Sequence, residues 1–168
     1  MSRIAFLVDR PTQFDAPFFR FVTKAPEGSL RVLFSESRAG EAVADPELGR
    51  TVDWGFSLFE GYEHSIRPGA TPVGAWLDRE LGTVPPELLV INGYTRPDYR
   101  RGLSWARRQA VPAALRIDST TVDLSPLRRA IKRLIFTTYL KPRFRTFLAT
   151  SSRTGRYLAA FGAPVRRI

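Results

Sequence analysis

The strongest constraint on this chain is a short apolar run that stops at a polar loop and is followed at once by a helical pattern. It is first met in residues 3–21, RIAFLVDRPTQFDAPFFRF. Residues 4–8 are almost continuously apolar, which predicts a strand buried on both faces. The loop after it carries Asp9, Arg10, Pro11, Thr12 and Gln13, and then Phe14, Phe18 and Phe21 recur at i, i+4 and i+7. Open α/β sheets bind ligands outside the carboxyl ends of their strands, so residues 9–14 form the first wall of a predicted site.

The same punctuation recurs along the chain. After a turn at 26–29, residues 30–34 repeat the buried run and close a βαβ unit, whose crossover makes the two strands parallel. Residues 35–61 hold no sustained period; their Trp54, Phe56, Leu58 and Phe59 predict an ordered excursion beside the site, with Asp53 and Trp54 as candidate contacts. Residues 62–66 are a weaker strand around His64, the single histidine, which reads as an ordinary strand residue. A helix is predicted over 71–81 through Val73, Trp76, Leu77 and Leu81, ended by Gly82 and the pair Pro85, Pro86.

The strand at 88–91 runs into Asn92, Gly93, Tyr94 and Thr95, just before a helix that Pro97 helps to start. Those residues either face the crevice or only supply the turn. After the helix at 97–110, a strand at 113–117 ends in Asp118, Ser119, Thr120 and Thr121, a third polar strand end. Ser125 and Pro126 are an N-cap and first-turn pair for a helix reaching about 140. Its apolar positions 127, 131, 134, 135 and 138–140 share a face, while Arg128, Arg129, Lys132 and Arg133 crowd another; Lys141, Arg143 and Arg145 surround its exit at Pro142. A sixth strand at 146–150 and a short helix capped by Ser151 and Ser152, closed by Gly162 and Pro164, finish the chain. The predicted fold class is α/β, a doubly wound, mainly parallel sheet of about six or seven strands with helices on both faces, in one domain over 1–168.

Composition narrows the chemistry. With no cysteine and one histidine in 168 residues, a disulfide framework, a Cys-based zinc site and a histidine-rich metal centre are not expected, and the chain reads as a reduced cytosolic domain. The first apolar run is too short for a signal peptide and no run approaches a membrane span, which predicts a cytoplasmic protein, either soluble or peripheral at the inner face of the membrane. Residues 1–99 carry 10 Lys and Arg against 14 Asp and Glu, whereas residues 100–168 carry 16 against 2. Such asymmetry implies an anionic partner, or else a solvated basic surface.

The last residues, FLATSSRTGRYLAAFGAPVRRI, resemble the end of the N-terminal domain of GT-B glycosyltransferases of the large retaining family 4 (group 1), through Leu158, Gly162, Pro164 and Ile168. The segments DPELGRTVDWGFSLFEGYEH, NGYT and LRIDST are similar to a bacterial subgroup of the same domains. The resemblance implies a Rossmann-like half of a GT-B fold, an N-terminal acceptor-side domain whose C-terminal, donor-binding domain lies outside this chain. It further implies sugar transfer from a nucleotide-sugar donor to a hydroxyl acceptor, such as a lipid-linked one, with retention and without a cofactor. The residues it places at the acceptor are Asp9, Arg10, Thr12, Gln13, Asp53, Trp54, Asn92, Gly93, Tyr94 and Ser119, with Asp118 in a catalytic role. Two departures stand out: DRPTQF replaces a common Gly-Gly pair in the first loop, and Ile117, Asp118 stand where relatives often have a histidine.

The arginines and lysines at 128, 129, 132, 133, 141, 143 and 145 are predicted membrane or anion contacts on a basic amphipathic helix. In the competing expectation that helix simply packs its apolar face on the sheet. Two other classes compete with the transferase. A nucleic-acid binder fits the basic half but lacks a reader motif and aromatics among the basic residues, and a flavodoxin-type module lacks a glycine fingerprint after any strand.

Overall fold

The computed structural model describes residues 2–26, 28–39, 44–45, 50–51, 55–118 and 125–164. Asp53, Trp54 and Ser119 lie outside the described residues. The fold class is α/β and Rossmann-like, with six parallel strands and intervening helices. The chain divides into two compact units, Met1–Glu87 and Leu88–Ile168.

In the first unit β1 (Ser2–Val8), α1 (Asp15–Thr23), β2 (Gly28–Phe34), a two-residue antiparallel pair β3 (Ala44–Asp45) and β4 (Arg50–Thr51), β5 (Glu63–Ile66) and α2 (Val73–Leu81) follow in order. The strands pair in parallel as β5-β2-β1, with Phe6 opposite Val32 and Val32 opposite His64. The continuous apolar pattern of β1 and β2 has its cause here: Leu7, Val8, Val32, Leu33 and Phe34 are all fully buried, as both faces of these strands are covered. His64 is exposed on β5, with its ring centroid 5.1 Å from Phe59 and 5.7 Å from Tyr62.

One face of α1 differs from the simple reading of its period. The stripe Phe14, Phe18, Phe21 faces outward, with Phe14 and Phe21 each 77% exposed, while Ala16 and Phe19 are buried. The reason is aromatic packing. The Phe19 ring lies 5.4 Å from Phe6 and 5.3 Å from Tyr62, edge-on or tilted, so the helix turns that side to the core.

The second unit runs β6 (Leu88–Ile91), α3 (Pro97–Arg108), β7 (Ala113–Ile117), α4 (Pro126–Ile135), a π-helical turn (Phe136–Leu140), β8 (Thr146–Ala149) and α5 (Ser152–Ala160). Its strands pair in parallel as β6-β7-β8, with Ile91 opposite Leu115 and Ile117 opposite Ala149. Pro97 opens α3 and Ser125 caps α4 as the sequence predicts. Gly162 ends α5 with φ +96°, a conformation that a side chain would strain. Trp105, Leu115, Phe147, Leu158 and Phe161 form this unit's core.

The expected packing of the 126–140 helix on the sheet holds only for its last turn. Phe136 and Leu140 are buried, and the Phe136 ring stacks 5.1 Å from Phe147, but no residue of α4 is buried. Leu127 is 71% and Leu134 62% exposed.

Candidate site at the strand carboxyl ends

The polar strand ends of the second unit converge because neighbouring parallel strands finish side by side. β6 ends next to β7, and the Arg116 guanidinium on β7 reaches Asn92 Oδ1 at 3.5 Å. Gly93 takes φ +118° with its N–H donating to Ile91 O at 3.0 Å, and a Cβ built there would sit 3.3 Å from the Tyr99 ring. The Asn-Gly pair therefore makes the tight turn and also leaves Asn92 and Tyr94 at the strand end. The turn and site readings of this pair are compatible.

β7 in turn ends next to β8. The Thr150 hydroxyl donates to Asp118 Oδ1 at 3.0 Å and lies 3.3 Å from Ile117 O. Behind it, the fully buried Thr154 hydroxyl is 3.1 Å from Ser151 Oγ, and Ser151 Oγ accepts the Thr154 N–H at 3.2 Å as the cap of α5. Asp118 is thus an exposed carboxylate oriented by a hydroxyl that the fold itself fixes.

Tyr94, Tyr157 and Lys132 complete the cluster. Burial raises the Tyr94 phenol above the usual tyrosine range, with Tyr157 adding to the shift and Lys132 opposing it. Burial raises Tyr157 likewise, and Lys132 Nζ lies 5.5 Å from the centre of its ring. Both phenols remain neutral hydrogen-bond donors at physiological pH. An amide, a carboxylate, two phenols and two cations form the kind of set that binds hydroxyl-rich or anionic small molecules. Arg116, Thr150 and Tyr157 were not among the predicted site residues; the signal that could have found them is Thr150, Ser151 and Ser152, a further polar strand end in the same pattern.

The first-unit loop is more heavily engaged in its own architecture. Arg10 pairs with Glu36 through Nε at 3.0 Å, and Glu36 N–H donates to Asp9 O at 3.0 Å. The Thr12 hydroxyl accepts the Asp15 N–H at 3.1 Å and its carbonyl accepts from Asp15 and Ala16, so it caps α1. Next to this loop Ser35 is fully buried, and its Oγ has no hydrogen-bond partner among the described residues. Gln13 is only partly exposed.

Of the predicted cationic contacts, Arg128, Arg129 and Arg133 are exposed on α4, as are Lys141 and Arg145 after the π turn. Arg143, half-buried, caps the helix end, donating to Thr138 O at 3.3 Å and Tyr139 O at 3.0 Å with its guanidinium 4.3 Å from the Tyr139 ring centre. Two open cavities lie at the opposite, amino ends of the strands. One of about 340 Å³ holds Arg3, Arg31, Glu63 and Glu80, and one of about 480 Å³ is lined by Ala113, Lys141 and Arg145. In the first, Arg31 pairs with Glu80 at 2.7 Å and Glu63 at 3.3 Å, a closed set of charges. Neither cavity contains a predicted site residue other than Lys141, Arg143 and Arg145.

No family model matches the chain, and no curated protein matches its sequence. Among solved structures it is similar to UDP-GlcNAc 2-epimerase from Neisseria meningitidis bound to UDP-GlcNAc, with a TM-score of 0.56 and 12% identity. The likeness covers 99% of this chain and 44% of that one, so the chain spans less than half the length of the enzyme it resembles. At that identity the likeness is one of fold: a Rossmann-like α/β arrangement of the GT-B type.

Proposed function

We propose that this chain is the N-terminal, acceptor-side half of an enzyme acting on nucleotide sugars, and that the whole protein transfers a sugar to a hydroxyl acceptor with retention at the anomeric carbon. The observation that carries this reading is the fold likeness to a nucleotide-sugar enzyme, joined to the polar cluster at the carboxyl ends of β6, β7 and β8. In it Asn92 and Tyr94 bind acceptor hydroxyls, and Asp118, held by Thr150, accepts a hydrogen bond from the attacking hydroxyl and holds it on the face from which the diphosphate departs, so that the bond from the anomeric carbon to the phosphate oxygen breaks as the glycosidic bond forms and that phosphate oxygen takes the proton. Arg116 and Lys132 supply positive charge where negative charge builds on the departing diphosphate. A second domain outside this chain holds most of the donor, and Gly93, by turning the chain at the end of β6, keeps Asn92 and Tyr94 on the acceptor side of the second unit.

The test is a product assay on the protein carrying both halves, with a nucleotide sugar and a panel of hydroxyl acceptors. Transfer is expected, with Asp118→Asn lowering kcat by about 100-fold or more and Asn92→Ala acting mainly on KM. An epimerised sugar in place of a transfer product would replace the transferase reading with the chemistry of the structural neighbour. If neither product forms and nucleotide sugars leave the amide resonances of residues 92–94, 118 and 150 unmoved, the sugar reading is wrong.

A further inference from the structure

We infer that α4 is an interfacial helix whose outer stripe inserts into the headgroup and upper acyl region of an anionic phospholipid membrane. The stripe is Leu127, Ile131 and Leu134, at i, i+4 and i+7, each exposed, with Ile135 beside it. The opposite side of the same helix is its attachment: Lys132 lies over the Tyr157 ring, and Phe136, one turn further on, is buried against Phe147. Lys132 and Leu134 are about 200° apart on a helix with 100° per residue, so the apolar stripe points away from the unit. A folded water-soluble helix ordinarily covers such a stripe, and this one is uncovered among the described residues.

Charge complementarity selects the occupant. α4 contains Arg128, Arg129, Lys132 and Arg133 and no acidic residue. Arg128 and Arg133 flank the stripe, where long cationic side chains reach lipid phosphates while their stems stay apolar. A second copy of this chain would bring the same four cations against themselves. A nucleic acid would use the cations and leave Leu127, Ile131 and Leu134 idle. Of these three, an anionic membrane is the one that uses both faces.

A second observation points to the same apolar medium. Where the stripe continues past Leu134, Thr137 and Thr138 are exposed, yet their hydroxyls are turned back onto the helix. Thr138 donates to Leu134 O at 2.7 Å and Thr137 to Arg133 O at 2.9 Å. Hydroxyls satisfied in this way can leave water without losing a partner. Among the described residues no helix is long and apolar enough to cross a membrane, so α4 lies in the interface plane.

The experiment is co-sedimentation of the 168-residue chain with phosphatidylglycerol–phosphatidylcholine vesicles and with pure phosphatidylcholine vesicles. Binding to the first at about 0.1 M salt, and at least tenfold weaker binding to the second, is expected. Leu127→Ser, Ile131→Ser and Leu134→Ser together should weaken binding by at least roughly tenfold, about 1.4 kcal/mol, with an unchanged circular dichroism spectrum. Arg128→Gln with Arg133→Gln should weaken it too and flatten its salt dependence. Ile131→Trp, read by fluorescence, should shift to the blue on adding anionic vesicles and checks insertion without removing an apolar residue. The inference is overturned if the triple serine variant binds as wild type, or if neither vesicle binds. It is equally overturned if sedimentation velocity shows a dimer that the serine variant abolishes, or if duplex DNA binds and the serine variant leaves that binding intact.

Discussion

α1 and α4 are both amphipathic helices with an apolar stripe turned outward, but only α1 is also anchored along its length by a buried face. Phe19 and Ala16 are fully buried in α1, whereas α4 has no buried residue and is held by Lys132 and by the π turn at its end. Charge follows the same division. In the first unit arginines are engaged locally: Arg10 with Glu36, Arg31 with Glu80 and Glu63, Arg67 with Ser35 O at 2.6 Å and Thr71 O at 2.8 Å, and Arg20 with Ser57 O and with Glu60 O at 2.8 Å. In the second unit 17 Lys and Arg stand against 3 Asp and Glu over residues 88–168, and those on α4 other than Lys132 are exposed. The first unit uses these arginines to hold loops in place, whereas α4 exposes Arg128, Arg129 and Arg133.

The largest expected contrast is in stability. Phe19→Ala removes a ring packed between Phe6 and Tyr62 and should cost about 3–5 kcal/mol in urea unfolding, while Leu134→Ala on α4 should stay within about 0.5 kcal/mol. Equal costs would mean that α4 is covered in solution. Next, Arg20→Ala removes two carbonyl contacts and the guanidinium 5.4 Å from the Phe56 ring centre. A loss of about 1–3 kcal/mol is expected, with faster hydrogen exchange across residues 57–62.

The caps give a finer comparison. Thr12→Ala should cost about 1 kcal/mol, because the Asp15 N–H it satisfies begins a helix tied to the core. Ser125→Ala removes a longer contact, 3.4 Å to the Arg128 N–H, at an exposed helix end, and should cost no more than about 0.5 kcal/mol. A reversed order would show that α4 is the better anchored of the two.

At neutral pH the smallest effect is that of Tyr62, whose phenol burial pushes up to about 12, Arg20 opposing and Asp15 adding. Below pH of about 10, the unfolded value, the phenol is neutral in both states and contributes no pH dependence. Above it the unfolded chain ionises first, so stability should fall as pH rises from about 10 toward 12. Tyr62→Phe should flatten that slope in a pH series of unfolding midpoints.

How much of this was legible depended on whether one residue's surroundings come from its own neighbours in sequence. The strands at 4–8, 30–34, 88–91 and 113–117 could be read because burial on both faces leaves a continuous apolar run. Pro97, Ser125, Gly82 and Gly162 marked helix ends through backbone chemistry that is local. The outward faces of α1 and α4 were not legible, since a period of 3.6 residues shows that a stripe exists without showing what covers it. Phe19 is surrounded by Phe6 and Tyr62, residues far away in sequence. The site divides in the same way: Asn92, Tyr94 and Asp118 follow from strand ends, but the Thr150 bond to Asp118 spans 32 positions and appears only when β7 and β8 pair.

The single turn of π-helix after α4 has a mechanical consequence. Lys141 N–H donates to Phe136 O at 2.8 Å, five residues back, so this turn holds one residue more than an α-helical turn would. That extra residue sets the angle between the anchored Phe136 and Leu140 and the strand that follows. Removing it would swing everything upstream by about 100°, carrying Leu127, Ile131 and Leu134 from the outer side round toward the flank. The turn therefore works as an indexing notch: the length of one loop of backbone, and not the composition of the helix, decides which way its oily edge looks.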